Sequence, residues 1–497
     1  MPLLQEIEYR TMTRTTSEPT TPRPITYQEL DALFRPRSIA VVGASANERN
    51  RGHGFVKDLI EFEFPGPIYP VNPRLDEMLG LKAYHRLEDI PGPVDYVLSA
   101  VPASAILEVV EGARVKGTRL LHLFTARFSE TGREEEAELE QELERRIRAA
   151  GIRLIGPNCM GLYYPKQRIT FGPDMPKKPG NVGFLSQSGS HAFRVIGRGA
   201  ARGLRFSKVV SYGNALDLNE AHFLDYFADD PDTEIIAAYV EGMKDGRRFF
   251  EALRRAAARK PVLVLKGGRS AAGHAAASSH TAALASQMTL WRAAVRQAGA
   301  LEVGTVNELI DMLVAFGNAG TARGNRVGVM GGAGGGMVEA ADLCAEAGLD
   351  LPPLSPDMRE ALREKLPHAW DWIRNPVDVS ITGGGHSDTF LLLEMMAASP
   401  DFDALIANVS GIEWALSRGD EKMFREMLDR AKKLGKGSGK ATMLVMGEPE
   451  TRDPSIRNAV FDAREELTAA GVAIYPDIER AAGALGRYVR YLAERGS

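Results

Sequence analysis

Two histidines stand in a stretch almost free of bulky side chains, GRSAAGHAAASSHTAALA at residues 268–285, and covalent chemistry is the first thing to ask of them. Small neighbours allow a large charged group to approach His274 or His280. A neutral imidazole, with an unperturbed pKa of about 6.5, offers a free nitrogen to phosphorus without a separate base. Such a nucleophile needs its second nitrogen held and the cation formed on phosphorylation offset, which a carboxylate does best. Glu241, closing the apolar run EIIAAYVEG, is placed to serve, or is simply a surface acid at a strand end. The turn SQSGS adds the hydroxyls of Ser186, Ser188 and Ser190 to the backbone N–H groups of the helix it opens. That makes a phosphate cradle, with ordinary N-capping by serine as the plainer alternative.

A second candidate site lies near the N-terminus. The run SIAVVGAS delivers Gly43, Ala44 and Ser45 to a helix start, where unpaired N–H groups and the helix dipole attract an anion. A dinucleotide site would show G-x-G-x-x-G here and an acid closing the second strand. Instead a basic loop, ANERNRGHG, follows the turn, and the second strand ends in Asn72-Pro73-Arg74. A cation in the ribose position suits a phosphorylated ribose such as that of coenzyme A, with Arg51 and Arg74 as sources of charge; solvated arginines at a sheet edge are the alternative.

These residues need scaffolds, and the chain repeats one kind three times. SIAVVGAS, NVGFLSQSGS and NRVGVMGGAGGG each carry an apolar strand into a small-residue turn and a helix. Short β-branched runs then alternate with amphipathic stretches, the pattern of parallel sheets covered by helices on both faces. An α/β chain of three consecutive parallel-sheet domains follows, and 497 residues are too many for one core. Links rich in Pro, Gly and polar residues at 166–180 and 317–324 put the domains at 26–165, 166–320 and 321–497, after a disordered or draped arm at 1–25.

Composition removes other classes. With 44% hydrophobic and 25% charged residues the chain is an ordinary globular one, and a net charge of −4 offers no field for nucleic acid. Two cysteines about 185 positions apart give neither a disulfide framework nor a thiolate metal site, so a reducing cytoplasm and no metal are expected. No run approaches the roughly 20 apolar residues of a membrane span.

Taken together, RSIAVVGAS, YPVNP, VDYVLSAVPA, IRLIGPNCMG, GNVGFLSQSGS, DDPDTEIIAAYVEGM, KPVLVLKGGR, SSHTAALA, the glycine turn GGAGGG and NPVDV resemble, in order, the nucleoside-diphosphate-forming acyl-CoA synthetases, the superfamily of succinyl-CoA synthetase. The resemblance covers nearly everything from Leu33 onward. It implies a Rossmann-like CoA-binding domain followed by two flavodoxin-like ligase domains. It assigns His280, over His274, as the phosphorylated residue and Glu241 as the acid that orients it. Ser186, Ser188 and Gly189 become its phosphate-binding turn, and Gly334 and Gly335 fall within the turn of a second such helix. Gly43, Ser45, Asn72, Pro73, Arg74, Val101, Pro102, Asn158 and Cys159 lie in strings that line the CoA site.

The implied reaction interconverts acyl-CoA, phosphate and ADP with a carboxylic acid, CoA and ATP through acyl-phosphate and phosphohistidine intermediates. CoA is a substrate, while ATP or ADP and Mg²⁺ belong to an ATP-grasp β-subunit encoded elsewhere, since nothing after the third sheet supplies that pair of domains. Ala282 and Ser286 replace family glycines, and GGAGGG replaces the usual third turn. The rival readings are an inactive CoA-binding sensor or scaffold of the same fold and an NAD-linked dehydrogenase; retention of His280 with Glu241 opposes the first and Asn72-Pro73-Arg74 opposes the second.

Overall fold

A computed structural model describes residues 23–270, 272–273, 288–330, 332, 334–378, 380, 386–449 and 451–496. His274 and His280 lie outside the described residues, as do Gly331 and Ala333 of the third turn. Among the described residues three large sheets follow one another along the chain, besides a two-stranded antiparallel ribbon of Glu77–Met78 and Leu81–Lys82 in the first unit. The first has five parallel strands in the order Ile68–Val71, Ile39–Val42, Tyr96–Ser99, Leu120–Leu123 and Arg153–Ile155. Tyr96–Ser99 and Leu120–Leu123 are buried at every position, as unalternating apolar runs must be when helices cover both faces.

The second sheet has six strands, ordered Leu301–Val303, Val262–Lys266, Ile235–Val240, Val182–Ser186, Phe206–Ser211 and Gly161–Tyr163. All neighbours are parallel except the last pair, in which Gly161–Tyr163 runs against Val209–Ser211. The third comprises four parallel strands, Val327–Met330, Ala404–Asn408, Ala441–Val445 and Ile474–Tyr475. Gly161–Tyr163 thus precedes the boundary expected at 165/166 yet pairs in the second sheet. Its three residues follow the turn that leaves the first sheet, and the chain crosses over there rather than in the Pro-rich link.

Buried ion pairs join the units. Asp217 accepts from Arg153 Nε at 2.8 Å and from Arg23 Nη2 at 3.1 Å, and Arg23 also donates to the Ile152 carbonyl. Arg23 therefore docks part of the expected arm. Just beyond it Thr26 and Glu29 form a capping box on the helix Tyr27–Leu33, whose Tyr27 stacks on Tyr226 of the second unit with ring centroids 5.2 Å apart. Between the second and third units Asp311 is clasped by Arg202 at 2.9 Å and by both Nε and Nη2 of Arg480 at 2.6 and 2.8 Å. The helix Ile478–Gly496 that carries Arg480 packs on Val306–Asn318 and Gly334–Glu346. Among the described residues no helix is long and apolar enough to cross a membrane.

Candidate functional site

Parallel pairing brings the carboxyl ends of the middle strands of the second sheet to one rim. Ser186 lies opposite Tyr239, and Val240 opposite Lys266, so the serine turn, Glu241 and Gly267 leave the sheet side by side. Ser188 caps the helix Gly189–Ala200, its hydroxyl accepting from the backbone N–H of His191. Gly189 is required by crowding, because a Cβ there would sit 2.6 Å from Met160 Cγ. Ser186 takes a different part from the one expected. It is fully buried and its hydroxyl donates to the Ser188 carbonyl at 2.7 Å, so it braces the turn from within.

The side chain between the serines ties turn to acid. Gln187 Oε1 accepts from the backbone N–H of Glu241 at 2.6 Å and of Gly242 at 3.1 Å. The Glu241 carboxylate in turn accepts from the Tyr239 hydroxyl at 3.2 Å. Lys266, 2% exposed, donates to the carbonyls of Glu241 and Gly267 at 2.5 and 2.6 Å. Burial lowers its pKa and the Glu241 charge opposes that shift. Beside this group opens a cavity of about 470 Å³, lined by His191, Tyr239, Lys266, Arg269, Ser270 and Thr305. The segment carrying His274 and His280 departs just after Ser270.

In the first unit Gly43 has φ +89°, and a Cβ would meet the Ala100 carbonyl group at 2.9 Å, so only glycine makes this turn. Asn72 donates to the Ala44 carbonyl at 2.6 Å and accepts from the Arg74 N–H at 2.8 Å, latching the second strand's end to the turn. Ser45 Oγ accepts from Asn47 N–H at 3.2 Å. Pro73 and Arg74 are exposed beside it, Val101 is half-buried against Gly43, and Pro102 precedes a short 3-10 turn. Asn158, with φ +57°, donates to Asn214 Oδ1 at 3.4 Å, and Asn214 donates to Glu130 at 2.8 Å, so the first two units meet at this rim. Cys159 is 3% exposed and faces the Leu123 carbonyl, its thiol pKa raised by burial; it belongs to the wall behind the turn.

Arg51 does not provide the charge expected of it. The helix Arg51–Glu61, capped by Asn50, begins within the stretch read as a loop. Its first residue turns inward, pairs with Asp58 at 3.3 Å, donates to the Phe171 carbonyl and stacks 4.3 Å over the Phe55 ring. In the third unit Gly334 and Gly335 open the helix Gly334–Glu346 and are exposed. A Cβ on Gly334 would lie 3.4 Å from an Asp378 carboxylate oxygen, so that helix N-terminus already faces an acid. Gln187, Tyr239, Lys266 and His191 were not singled out by sequence. The available signals were a lysine in the apolar run PVLVLKGG and a histidine in the first turn after SQSGS.

The CoA binding domain family model matches residues 37–165 and the succinyl-CoA ligase like flavodoxin domain model matches 179–316, which defines a CoA-binding α/β ligase architecture. The α-subunit of ADP-forming acetate–CoA ligase II of Pyrococcus furiosus is 38% identical over 76% of this chain and 82% of its own length. ADP-forming acetate–CoA ligase II of Archaeoglobus fulgidus is 32% identical over 95% of this chain and 68% of its own. The solved structure of acetyl-coenzyme A synthetase 1 of Candidatus Korarchaeum cryptofilum, bound to phosphate and ADP, aligns with a TM-score of 0.77 at 31% identity, covering 94% of this chain and 97% of that one. The chain belongs to the family of ADP-forming acetate–CoA ligases, within the nucleoside-diphosphate-forming acyl-CoA synthetases.

Proposed function

We propose that this chain is the CoA-ligase subunit of an ADP-forming acyl-CoA synthetase, an acid–thiol ligase. It interconverts acyl-CoA, phosphate and ADP with a carboxylic acid, CoA and ATP. Phosphate attacks the thioester carbonyl and releases CoA as thiol, leaving an acyl phosphate. The phosphoryl group then passes to His280 as the P–O bond to the carboxylate breaks, which frees the acid. Finally ADP takes the phosphoryl group from His280, regenerating neutral imidazole. Little covalent work is left to the protein beyond positioning and charge stabilisation.

The observation that carries this reading is the convergence of a serine-capped helix N-terminus, Gln187 and Glu241 on the rim from which the His280 segment departs. In this account the Ser188–Gly189 turn receives the phosphoryl oxygens, while Glu241 holds the far imidazole nitrogen and offsets the phosphoimidazolium charge. Gly43, Ser45, Asn72, Pro73, Arg74, Val101, Pro102 and Asn158 line the CoA groove, and Cys159 backs it. An ATP-grasp β-subunit is the partner and holds the nucleotide with Mg²⁺. The expected compartment is the cytoplasm, where two free, buried cysteines are at home.

Arg74, exposed and without a side-chain partner among the described residues, should face the ribose phosphate of CoA. Calorimetric titration tests the assignment: CoA binds and NAD does not, and Arg74→Ala weakens CoA while leaving dephospho-CoA unchanged. Preferential binding of NAD would overturn it.

A further inference from the structure

One side of the phosphate rim holds a group of residues for which the reading above has no use. His191, in the first turn of the serine-capped helix, lies flat on the Tyr239 ring, with centroids 4.1 Å apart and planes at 8°. Its Nδ1 is 3.2 Å from Ser188 Oγ, so the residue that caps the helix also holds this imidazole. The same Tyr239 donates to Glu241. His191 and Tyr239 line the cavity of about 470 Å³ together with Lys266 and Arg269. Lys266 spends two of its three N–H donors on carbonyls, leaving one. Arg269 spends one nitrogen on the Gly304 carbonyl at 2.7 Å.

We propose that this cavity is an oxyanion pocket for a tetrahedral phosphate-class dianion, and that His191 is its protonation-gated donor. The inference rests on the function proposed above and adds to it the place where inorganic phosphate waits before it attacks the acyl group. Geometry supplies the reasons. The stack and the Ser188 contact fix the ring without consuming Nε2, and the cavity walls carry two cations. An imidazolium lying on a phenol ring is favoured by the ring's negative face. Without an anion, burial and then the neighbouring Arg194 hold the His191 pKa below its ordinary value; Lys266 and Arg269 bring further positive charge to the same cavity wall, and Glu241 is linked to the ring only through Tyr239. A bound dianion reverses that balance, so a proton is taken up at Nε2 as the anion enters and is given back when the anion leaves.

Sulfate is the probe of choice, because its charge is constant between pH 6 and 8 while phosphate itself titrates there. Titration of the full chain with sulfate should show binding that tightens as pH falls, with proton uptake seen as a dependence of heat on buffer ionisation. His191→Gln should abolish the uptake and flatten the pH profile. His191→Phe, which keeps the stack, should bind sulfate about tenfold or more weakly, as expected for loss of a charge-assisted hydrogen bond. Circular dichroism checks that both variants are folded, and Lys266→Met should weaken sulfate at every pH. Sulfate binding by His191→Phe with unchanged affinity and unchanged proton uptake overturns the proposal, as does absence of sulfate binding by the parent chain. The assay needs neither turnover nor His280, so it can fail while phosphoryl transfer to His280 stands, and the reverse.

Discussion

Gln187 offers the sharpest perturbation of the rim. Its amide oxygen is the shared acceptor for the N–H groups of Glu241 and Gly242, and the side chain is 6% exposed, so water cannot readily take its place. Gln187→Leu keeps the volume and removes the acceptor. Two buried donors are then orphaned, at about 1–3 kcal/mol each, although some relaxation will recover part of the loss. A total near 3 kcal/mol should lower the melting temperature of the unit by about 6–12 °C, at about 2–4 °C per kcal/mol for a domain of this size. The functional effect should exceed the thermal one, because Glu241 is then free to drift from the serine turn. Phosphoryl labelling of the chain in the presence of its partner should fall about tenfold or more, the factor that displacement of such a supporting group commonly brings. Calorimetry, CoA titration and labelling on the same preparation separate the two effects, with CoA affinity unchanged. A variant that melts and labels like the parent would refute the idea that Gln187 couples turn to acid.

Other expectations follow from buried charge. Asp311→Ala strands Arg202 and Arg480 at the joint between the second and third units and should cost about 3–5 kcal/mol in denaturant unfolding, with the third unit released first. Glu220, 3% exposed, has its carboxyl pushed up to about 7 by burial, against an ordinary 4.5. The folded state then holds a proton the unfolded state has lost, so stability falls as pH rises from 4.5 to 7, by up to about 3 kcal/mol. Glu220→Gln should flatten that slope and raise stability at pH 8. His122 and His222 are buried with pKa values lowered to about 4, burial being the main cause in each. Their stabilisation is complete above the unfolded value near 6.5 and is lost as pH falls toward 4, so acid unfolding should take up two protons that His122→Gln and His222→Gln each reduce by one.

Much of this architecture could be read from residue pattern alone, because strands buried on both faces print as unbroken apolar runs, and each opening turn is marked by small residues. Two strands of the second sheet escaped that reading. Gly161–Tyr163 and Leu301–Val303 are three-residue strands at its edges, too short to carry a period. The helix start at Arg51 was hidden for another reason: Asn50 is a good cap, but two glycines follow it and read as loop. At the candidate site the turn and the acid were legible as types. The inward rotation of Ser186, the diversion of Arg51 to Asp58 and Phe171, and the bridging by Gln187 were not, because each depends on a partner's position rather than its identity. The joints through Asp217 and Asp311 pair residues up to 194 positions apart, a separation at which spacing carries no information.

Whether the His280 imidazole carries the phosphoryl group is decided by isotopic labelling. The chain, together with the proposed ATP-grasp β-subunit, is incubated with γ-labelled ATP, and the adduct is mapped by mass spectrometry. The expected adduct is an acid-labile, base-stable phosphoryl group on His280, discharged by ADP and absent in His280→Ala. Equal labelling of the His280→Ala chain, or label on a serine of the turn in place of the histidine, would contradict it.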